Sequence, residues 1–564
     1  MRRALIAAFI LALAIPSAAA KPKDAPPQRV RFTAAAGESL LVHGEYPQTQ
    51  SSCVEPYQPL LHARYRGTVE VLRASDGSLS LIGELDFEDY LKGIAEVPRD
   101  WPEEALKAQV VAARTYALNR LIGGAASSQY DLCATTECQV YVGMKVEAGP
   151  HGERWVKAVE DTAGEALLYR GQPASTYYSS TSPGRTFDVE DVFGGEALPY
   201  LRGGPEDDDH ASPLSRWEVQ VPFNDLARFL SADGVWGGGA IRGVSATGGA
   251  IRIEGAGNAT LSKENLRDAL NSTASCLAPE RYPTSESGGY RLPQTVPSRW
   301  YKAAQDGNAI VLKGRGWGHG IGMVQWGAYG KAERGLGYAD ILAAYYGGLR
   351  PEPADVPGSI RILIADGLTR LTIVPSGEAS LDPDPGRQGP WLVTGGRGVQ
   401  LQQGSRPSPV LEATGFTAPP HARVGQPYSP NLTVSDDSSV TIEFLRGEGG
   451  VPAPPVVLEE EEAQFETTVP ELAPGRYDVR ALVSDGVDVV TTAAVPVRVR
   501  AAGEAASPGT VSPITGTAAP GAPANHEEPG APIWLIVTGA LLVPLVVALL
   551  LGLTGRRGKG LHRA

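Results

Sequence analysis

The chain has 564 residues, too many for a single hydrophobic core, and this length predicts three or four structural units. Hydrophobic residues make up 42% of the sequence and charged residues 20%, which excludes a chain that is disordered throughout. The formal net charge of -13 argues against a nucleic-acid partner, because proteins that bind nucleic acids carry a basic surface.

Apolar segments lie near both ends of the sequence. Residues 1–20 join two arginines, an apolar run and three alanines, the pattern of a signal peptide. Residues 533–554 form an apolar segment of about 22 residues, long enough for a transmembrane helix, and the basic tail 555–564 follows it. We therefore expect a single-pass type I protein of the cell membrane, with the bulk of the chain extracytoplasmic.

The first informative stretch, Glu88–Leu118, follows a series of short strand patterns. It places Glu96 in a short connection bounded by prolines and then begins a helix near Pro102, a residue type that helix N-termini favour. Arg114 falls at the edge of the apolar stripe of this helix. The spacing predicts that Glu96 and Arg114 share a cleft.

The cysteine count is even, which favours disulfides in an exported chain. Cys133 and Cys138 would close a short loop, which leaves Cys53 to pair with Cys276. Zinc is the alternative, but this loop contains no histidine and tetrahedral zinc takes four nitrogen or sulfur ligands. We expect no metal and no other cofactor.

Two later stretches stand out in chain order. The acidic run Glu206–Asp209 resembles a cation-binding cluster, but we predict a solvated turn, as four adjacent acids on a loop usually form. In Lys313–Met323, glycine occupies every second position, so an extended chain there would present one bare face. Glycines inside a strand usually indicate the close approach of another backbone or a ligand.

The C-terminal half changes in composition. Residues 351–407 predict a small β appendage, and the alternating runs of residues 408–500 are typical of an immunoglobulin-like sandwich. Residues 501–530 are rich in alanine, proline and glycine and predict a flexible stalk. The predicted fold class is α+β, with a mixed domain followed by all-β appendages and a C-terminal transmembrane helix.

Three blocks resemble the SpoIID/LytB family of stage II sporulation protein D and amidase enhancers. They are Glu88–Leu118, Tyr177–Thr186 with Pro199–Arg202, and Gly316–Ala328 with Ile341–Gly347, and they follow one another in the family's order. The resemblance implies a SpoIID/LytB-like domain over residues 21–350. It also implies a lytic transglycosylase that cuts peptidoglycan glycan strands between N-acetylmuramic acid and N-acetylglucosamine and leaves a 1,6-anhydro end.

The resemblance places the catalytic acid on Glu96. The family's supporting residues fall on Arg114, Tyr200 and Arg202. Further candidates for substrate binding or support in these blocks are Tyr178, Ser179, Thr186, His319 and Gln325. We expect His319 either to contact the substrate or to brace the glycine-rich segment, and Trp317 and Trp326 are candidates for stacking on sugar rings. The family's zinc loop lacks its histidine here, which argues against a metal.

This chemistry needs one carboxyl that first protonates the leaving oxygen and then accepts a proton from the sugar's own hydroxyl. Its pKa must be raised, whereas a neighbouring arginine or a helix N-terminus would lower it. Either the bound substrate excludes water from the site and so raises this pKa, or Arg114 contacts the sugar and not the Glu96 carboxyl. Two alternatives stay open: a wall-binding protein that stimulates an amidase partner without cutting glycan, and a sporulation or division scaffold.

Overall fold

The computed structural model describes residues 28–47, 61–123, 129–279, 281–282, 286–287, 290–292, 294–435, 438–446, 449–458 and 464–502. The predicted signal peptide 1–20, Cys53, most of the predicted stalk 501–530, the segment 533–554 and the basic tail 555–564 lie outside these ranges.

Helices within the described ranges are concentrated in the first 350 residues. They are α1 (Phe87–Lys92), α2 (Glu103–Ile122), α3 (Lys145–Ala148), α4 (Gly152–Asp161), α5 (Val189–Val192), α6 (Phe223–Ala232), α7 (Lys263–Leu277), α8 (Gln325–Glu333) and α9 (Tyr338–Tyr345).

Strands run through the whole described chain. Up to residue 314 they are β1 (Arg29–Ala34), β2 (Leu40–Glu45), β3 (Leu61–Tyr65), β4 (Thr68–Arg73), β5 (Leu79–Leu85), β6 (Leu132–Cys133), β7 (Glu165–Tyr169), β8 (Gln172–Pro173), β9 (Tyr178–Ser179), β10 (Trp217–Pro222), β11 (Gly243–Thr247), β12 (Ala250–Glu254), β13 (Asn258–Ser262), β14 (Glu286–Ser287), β15 (Tyr290–Arg291), β16 (Tyr301–Asp306) and β17 (Ala309–Gly314). The later strands are β18 (Met323–Val324), β19 (Pro351–Pro353), β20 (Ile360–Leu368), β21 (Arg370–Pro375), β22 (Ala379–Asp382), β23 (Trp391–Thr394), β24 (Gln400–Gln403), β25 (Ala413–Thr417), β26 (His421–Arg423), β27 (Pro427–Tyr428), β28 (Asn431–Val434), β29 (Ser438–Arg446), β30 (Gly449–Pro452), β31 (Val456–Leu458), β32 (Thr467–Thr468), β33 (Gly475–Ser484), β34 (Val489–Thr491) and β35 (Val495–Arg500).

Two sheets join the beginning of the described chain to residues 351–407. One has the strand order β22-β1-β4-β5-β20-β6, and the other has the order β24-β23-β21-β2-β3. Alternate side chains of these strands, including Phe32, Leu81 and Ile373, are fully buried in one hydrophobic core. Strands β20 to β24, in the region that the composition sets apart as an appendage, therefore lie within the same sheets as the first strands, while β19 pairs with β7.

Helix α2 lies between two hydrophobic cores. Leu106, Val110 and Ala113 contribute to the core beneath the two sheets, whereas Val111 and Ala112 belong to a second core with α8 and α9. Alanines on both sides of α2 let neighbouring elements approach closely. The single apolar stripe predicted from the sequence is thus too narrow, because α2 is buried on nearly all sides.

Residues 217–314 form a unit with its own hydrophobic core. Strands β10, β17 and β16 make one three-stranded sheet, β11, β12 and β13 make another, and helices α6 and α7 pack together beside them. Phe229, Ile253 and Leu270 are fully buried in this core. The chain enters the unit after the loops that follow β9 and returns directly into the glycine-rich stretch before β18.

Residues 413–500 form an all-β unit, and the immunoglobulin-like assignment stays a prediction. Its main sheet contains β26, β35, β33, β29 and β30, and every second side chain along β29 is buried up to Phe444. Two contacts join this unit to β3: His62 Nε2 lies 3.1 Å from Asp488 Oδ2, and Arg64 Nε donates to the Val487 carbonyl oxygen.

The fold class predicted from the sequence needs correction at its C-terminal end. No helix within the described ranges is both long and apolar enough to cross a membrane. The longest of them, α2, carries Glu103, Glu104, Lys107, Arg114 and Arg120. The described protein is α+β with several β-sheets, and the predicted transmembrane helix and single-pass membrane localisation are not supported.

Candidate active site

Glu96 lies in the connection between α1 and α2, beside the segment that follows the Cys133–Cys138 loop. The main-chain N–H of Ala95 donates to the Val140 carbonyl oxygen at 2.9 Å. In return, the Val140 N–H donates to Glu96 Oε1 at 2.7 Å. Glu96 as a whole residue is part-exposed, while its carboxyl lies in a buried setting.

A chain of hydrogen bonds leads from the protein interior to the same carboxyl. The Tyr90 hydroxyl donates to Gln139 Oε1, and Gln139 Nε2 donates to the Tyr178 hydroxyl oxygen, each at 2.9 Å. Because the Tyr178 oxygen accepts a hydrogen from Gln139, its own hydrogen is free to be donated to Glu96, with which it hydrogen-bonds. Gln139 is fully buried, so this orientation is fixed by packing.

Gln325, which lies 229 positions after Glu96 in the sequence, also contacts it. Its Nε2 donates to the main-chain oxygen of Glu96 at 3.1 Å and to Gln109 Oε1 at 3.3 Å. The parallel pairing of β9 with β18 brings Tyr178 close to Gln325, because Tyr178 pairs with Met323 and Gln325 follows two residues later. The sequence blocks that contain Tyr178 and Gln325 therefore meet at the block that contains Glu96.

Burial raises the pKa of Glu96 to about 7, and the hydrogen bonds from Val140, Tyr178 and Gln325 oppose this rise. Burial disfavours the charged carboxylate, whereas donors directed at it favour the charge. The balance leaves a carboxyl that can hold or release a proton near neutral pH. Such a group can act as an acid in one step and as a base in the next.

Arg114 does not lie at this carboxyl. Its guanidinium is fully buried and forms a two-point ion pair with Glu88, with Nε to Oε1 at 2.9 Å and Nη2 to Oε2 at 2.7 Å. Nη1 donates to Thr162 Oγ1 at 3.3 Å. The cleft predicted to hold both Glu96 and Arg114 is not present, and the arginine expected to lower the pKa of Glu96 is engaged elsewhere.

Four other predicted supporting residues hold neighbouring loops. The Tyr200 hydroxyl accepts from the Ser175 N–H, and Arg202 pairs with Asp188 and Glu190. Thr186 Oγ1 accepts from the Gly204 N–H, and Ser179 Oγ accepts from the Gly320 N–H. Of the predicted supporting residues, Tyr178 and Gln325 are those that the structure brings to Glu96.

His319 braces the segment that carries Tyr178. Its Nδ1 accepts from the Ile321 N–H at 3.1 Å, and the ring also hydrogen-bonds the main chain of Tyr178. Burial lowers the pKa of His319 to about 4, so the imidazole is neutral at neutral pH. One ring face also lies against Phe193, with 5.2 Å between ring centroids.

The alternation of glycines predicted an extended strand, but the glycine-rich stretch is not one. Gly316, Gly318, Gly320 and Gly322 all have positive φ angles, between 69° and 102°, which L-residues with side chains rarely adopt. A Cβ atom at Gly322 would lie 2.0 Å from the Tyr177 carbonyl oxygen, and one at Gly316 would lie 2.6 Å from that of Thr181. The predicted close approach of another backbone is confirmed, and that backbone carries Tyr178.

The acidic run is not a solvated turn. Glu206 and Asp209 are 4% and 5% exposed. Glu206 accepts from the Tyr345 hydroxyl at 2.6 Å and from Lys331 Nζ at 3.0 Å, and Asp209 Oδ2 accepts from the Ser182 N–H at 2.7 Å. These acids tie the loop after β9 to helices α8 and α9. No cluster that could hold a metal ion was found within the described ranges.

The predicted disulfide between Cys133 and Cys138 is confirmed. Cys276 is also disulfide-bonded, while Cys53 lies outside the described residues. Trp326 packs against Trp101, with 4.8 Å between ring centroids, so one of the two tryptophans predicted to stack on sugars is partly used in packing.

Sequence reasoning missed Tyr90, Gln109, Tyr116 and Gln139 as parts of this site. Tyr116 contacts the rings of Tyr177 and Tyr178 at 6.2 and 6.5 Å between centroids. The position of Gln139 directly after Cys138 was the available signal, because a disulfide fixes the backbone beside it. The other three resemble ordinary helix residues in sequence.

Comparisons with known proteins show which proteins this chain resembles. A family model described as stage II sporulation protein, SpoIID, matches residues 75–169, which include Glu96 and Arg114. An uncharacterised protein of Brachyspira hyodysenteriae is 32% identical over 289 residues, covering 50% of this chain and 71% of that protein.

Two relatives carry functional names. Stage II sporulation protein D of Bacillus amyloliquefaciens is 28% identical over 51% of this chain and 79% of its own length. The amidase enhancer of Bacillus subtilis is 30% identical over 46% of this chain, and the match spans only 39% of the enhancer. With the family model and these relatives in agreement, this chain belongs to the SpoIID/LytB family of stage II sporulation protein D and amidase enhancers.

Proposed function

We propose that this protein is a peptidoglycan lytic transglycosylase with Glu96 as its single acid and base. The observation that carries the proposal is the state of the carboxyl of this part-exposed residue: neutral donors hold it, and burial raises its pKa to about 7. A glycosidase that works with one carboxyl needs this behaviour, because the same group must give up a proton and then take one back.

The reaction runs in two steps that balance without water. The protonated Glu96 carboxyl gives its proton to the glycosidic oxygen between N-acetylmuramic acid and N-acetylglucosamine, and the C1–O bond breaks. The resulting carboxylate then removes the proton from the C6 hydroxyl of the same muramic acid as that oxygen bonds to C1. The products are a new sugar end and a 1,6-anhydro-muramic end, and Glu96 is again protonated.

The neighbouring residues serve this cycle by holding the carboxyl. The Val140 N–H and the Tyr178 hydroxyl donate to it, so the carboxylate formed after the first step is stabilised. Gln325 fixes the backbone of Glu96 through its main-chain oxygen. Arg114 serves the fold rather than the reaction, because Glu88 engages its guanidinium at two points.

The test is to incubate the purified protein with isolated peptidoglycan glycan strands and to analyse the products by mass spectrometry. We expect 1,6-anhydro-muramic ends from the wild type and about 10²- to 10⁴-fold fewer from Glu96→Gln, which keeps the shape but cannot exchange the proton. Equal product formation by the two proteins, or products that have taken up water, would refute the assignment.

A second candidate function is stimulation of a cell-wall amidase without glycan cleavage. The similarity to a protein named amidase enhancer favours it. Under this alternative, an added amidase would release peptide faster in the presence of the protein, and Glu96→Gln would stimulate it as well as the wild type does. Mass spectrometry would then find no anhydro ends.

A further inference from the structure

One arginine beside the candidate active site has no charge partner within the described residues. On α2, Lys107 pairs with Glu103 and Asp161, and Arg114 pairs with Glu88. Arg120, six residues after Arg114 on the same helix, forms no hydrogen bond or ion pair in the part of the chain that the structure describes. Its Nε atom is buried and unpaired, which carries a cost unless a ligand supplies an acceptor.

Arg120 is close to the aromatic residues that lead to Glu96. Burial raises the pKa of Tyr116 and of Tyr177, and the positive charge of Arg120 opposes the rise in both. Tyr116 contacts Tyr178, which hydrogen-bonds Glu96. Since Tyr116 and Arg120 are four residues apart on one helix, they are neighbours on its surface, about 6 Å apart along the axis.

The same surface continues outward through aromatic rings. Tyr177 contacts Phe193 at 5.2 Å between centroids, and Phe193 is 49% exposed, so the aromatic contacts extend to the protein surface. We call Tyr116, Tyr177, Tyr178, Phe193 and His319 the aromatic wall. Such a wall with an unpaired guanidinium beside it suits a sugar chain that carries an anionic group.

We propose that Arg120 binds a carboxylate of the glycan, the free lactyl carboxylate of a muramic acid residue lying along the aromatic wall. This inference rests on the proposed function. N-acetylglucosamine carries no charge, so in a glycan strand the lactyl group is the source of a carboxylate. A guanidinium binds a carboxylate through two parallel hydrogen bonds, which an amide in the same place cannot reproduce.

The experiment compares two probes in the Glu96→Gln background, which binds without turnover. The first probe is peptide-free glycan strands with free lactyl carboxylates, and the second is the same strands after their carboxylates are coupled to methylamine as amides. Dissociation constants are measured by calorimetry. We expect the free strands to bind about tenfold more tightly than the amidated strands, a difference that shrinks as salt is raised.

Adding Arg120→Gln should weaken binding of the free strands about tenfold and leave the amidated strands unchanged. Arg120→Lys should recover part of the preference, because it keeps the charge and loses the two-point geometry. Arg252→Gln is the matched control: Arg252 lies on β12, is 58% exposed and pairs with Glu254. It should leave both constants unchanged.

If the Arg120→Gln variant still binds the free strands more tightly than the amidated strands, the proposed carboxylate subsite at Arg120 is wrong. It is also wrong if the Arg120→Gln variant binds both probes as before but unfolds at lower denaturant, because Arg120 would then act only as a cation at the helix C-terminus. These outcomes leave the proposed function standing. If the Glu96→Gln background binds neither probe, the proposed function itself fails.

Discussion

Two carboxylates only eight residues apart, Glu88 and Glu96, lie in opposite electrostatic settings around α2. Glu88 meets a fully buried guanidinium at two points, whereas Glu96 meets an amide, a phenol and a carboxamide. Burial therefore raises the pKa of Glu96 to about 7 without an adjacent positive charge to hold it down.

The difference teaches that the charge of the partner separates a carboxylate held in an ion pair from one that can exchange a proton near neutral pH. An arginine beside an acid keeps the acid ionised and locks two elements together. Neutral donors can orient an acid and still let it exchange a proton. In this protein the cation that the sequence assigned to Glu96 belongs to Glu88, and the separation of the two roles is what makes the Glu96 assignment physically consistent.

The largest effect should come from breaking the structural pair. Glu88→Gln leaves Arg114 buried without a counter-charge, and we expect the free energy of unfolding to fall by about 3–5 kcal/mol. Urea denaturation measures this loss. The control is Glu254→Gln. The ion pair of Glu254 with Arg252 is more than half exposed and should contribute less than about 1 kcal/mol to the free energy of unfolding. Equal losses in the two variants would contradict the structural role of the pair.

A smaller effect should appear as a dependence of stability on pH. The pKa of Glu96 is raised in the folded state from 4.5 to about 7, so folding favours the protonated form. The wild type should be most stable, relative to Glu96→Gln, below about pH 4.5 and should lose up to about 3 kcal/mol of that relative stability as pH rises through 7. Urea unfolding of both proteins at several pH values tests this. A constant difference would mean that burial does not govern the carboxyl.

The smallest effect concerns one neutral donor. Tyr178→Phe removes a hydrogen bond to the Glu96 carboxylate, so the pKa of Glu96 should rise further, by about one unit. Carbon-13 NMR of the glutamate carboxyls follows this titration without any assay of activity. Tyr200→Phe is the matched control, because its hydroxyl accepts from the Ser175 N–H instead. A similar shift in both variants would remove Tyr178 from the site.

Local signals predicted much of the fold. Pro102 and the acids after it indicate the start of α2, which the structure places at Glu103. The alternating strand patterns correspond to β1 to β5. The pairing of β1 with β22 and of β2 with β21 joins residues more than 300 positions apart, and no local pattern specifies such partners. The strands near residue 370 therefore resemble a separate appendage in sequence.

The sequence predicted which residues form the candidate site better than it predicted how they are arranged. Glu96, Tyr178 and Gln325 were among the candidate residues and do meet, but Arg114, which the resemblance also implied, does not join them. Glycines at every second position indicate a strand only if their backbone is extended, and here their φ angles are positive. The burial of the Glu206–Asp209 run depends on Lys331 and Tyr345, which arrive from far along the chain.

The hydrogen bond between Gln325 and Glu96 spans 229 positions in sequence, with the separate core of residues 217–314 in between. Loop closure over such a distance is slow and cooperative, so the pocket forms only when the distant segments have come together. The family-model match ends at Tyr169, before Tyr178 and Gln325. Its segment therefore contains the acid and its Val140 donor but lacks Tyr178 and Gln325, the two other donors that oppose the rise of its pKa, so the titration of Glu96 also reports on the assembly of these later segments.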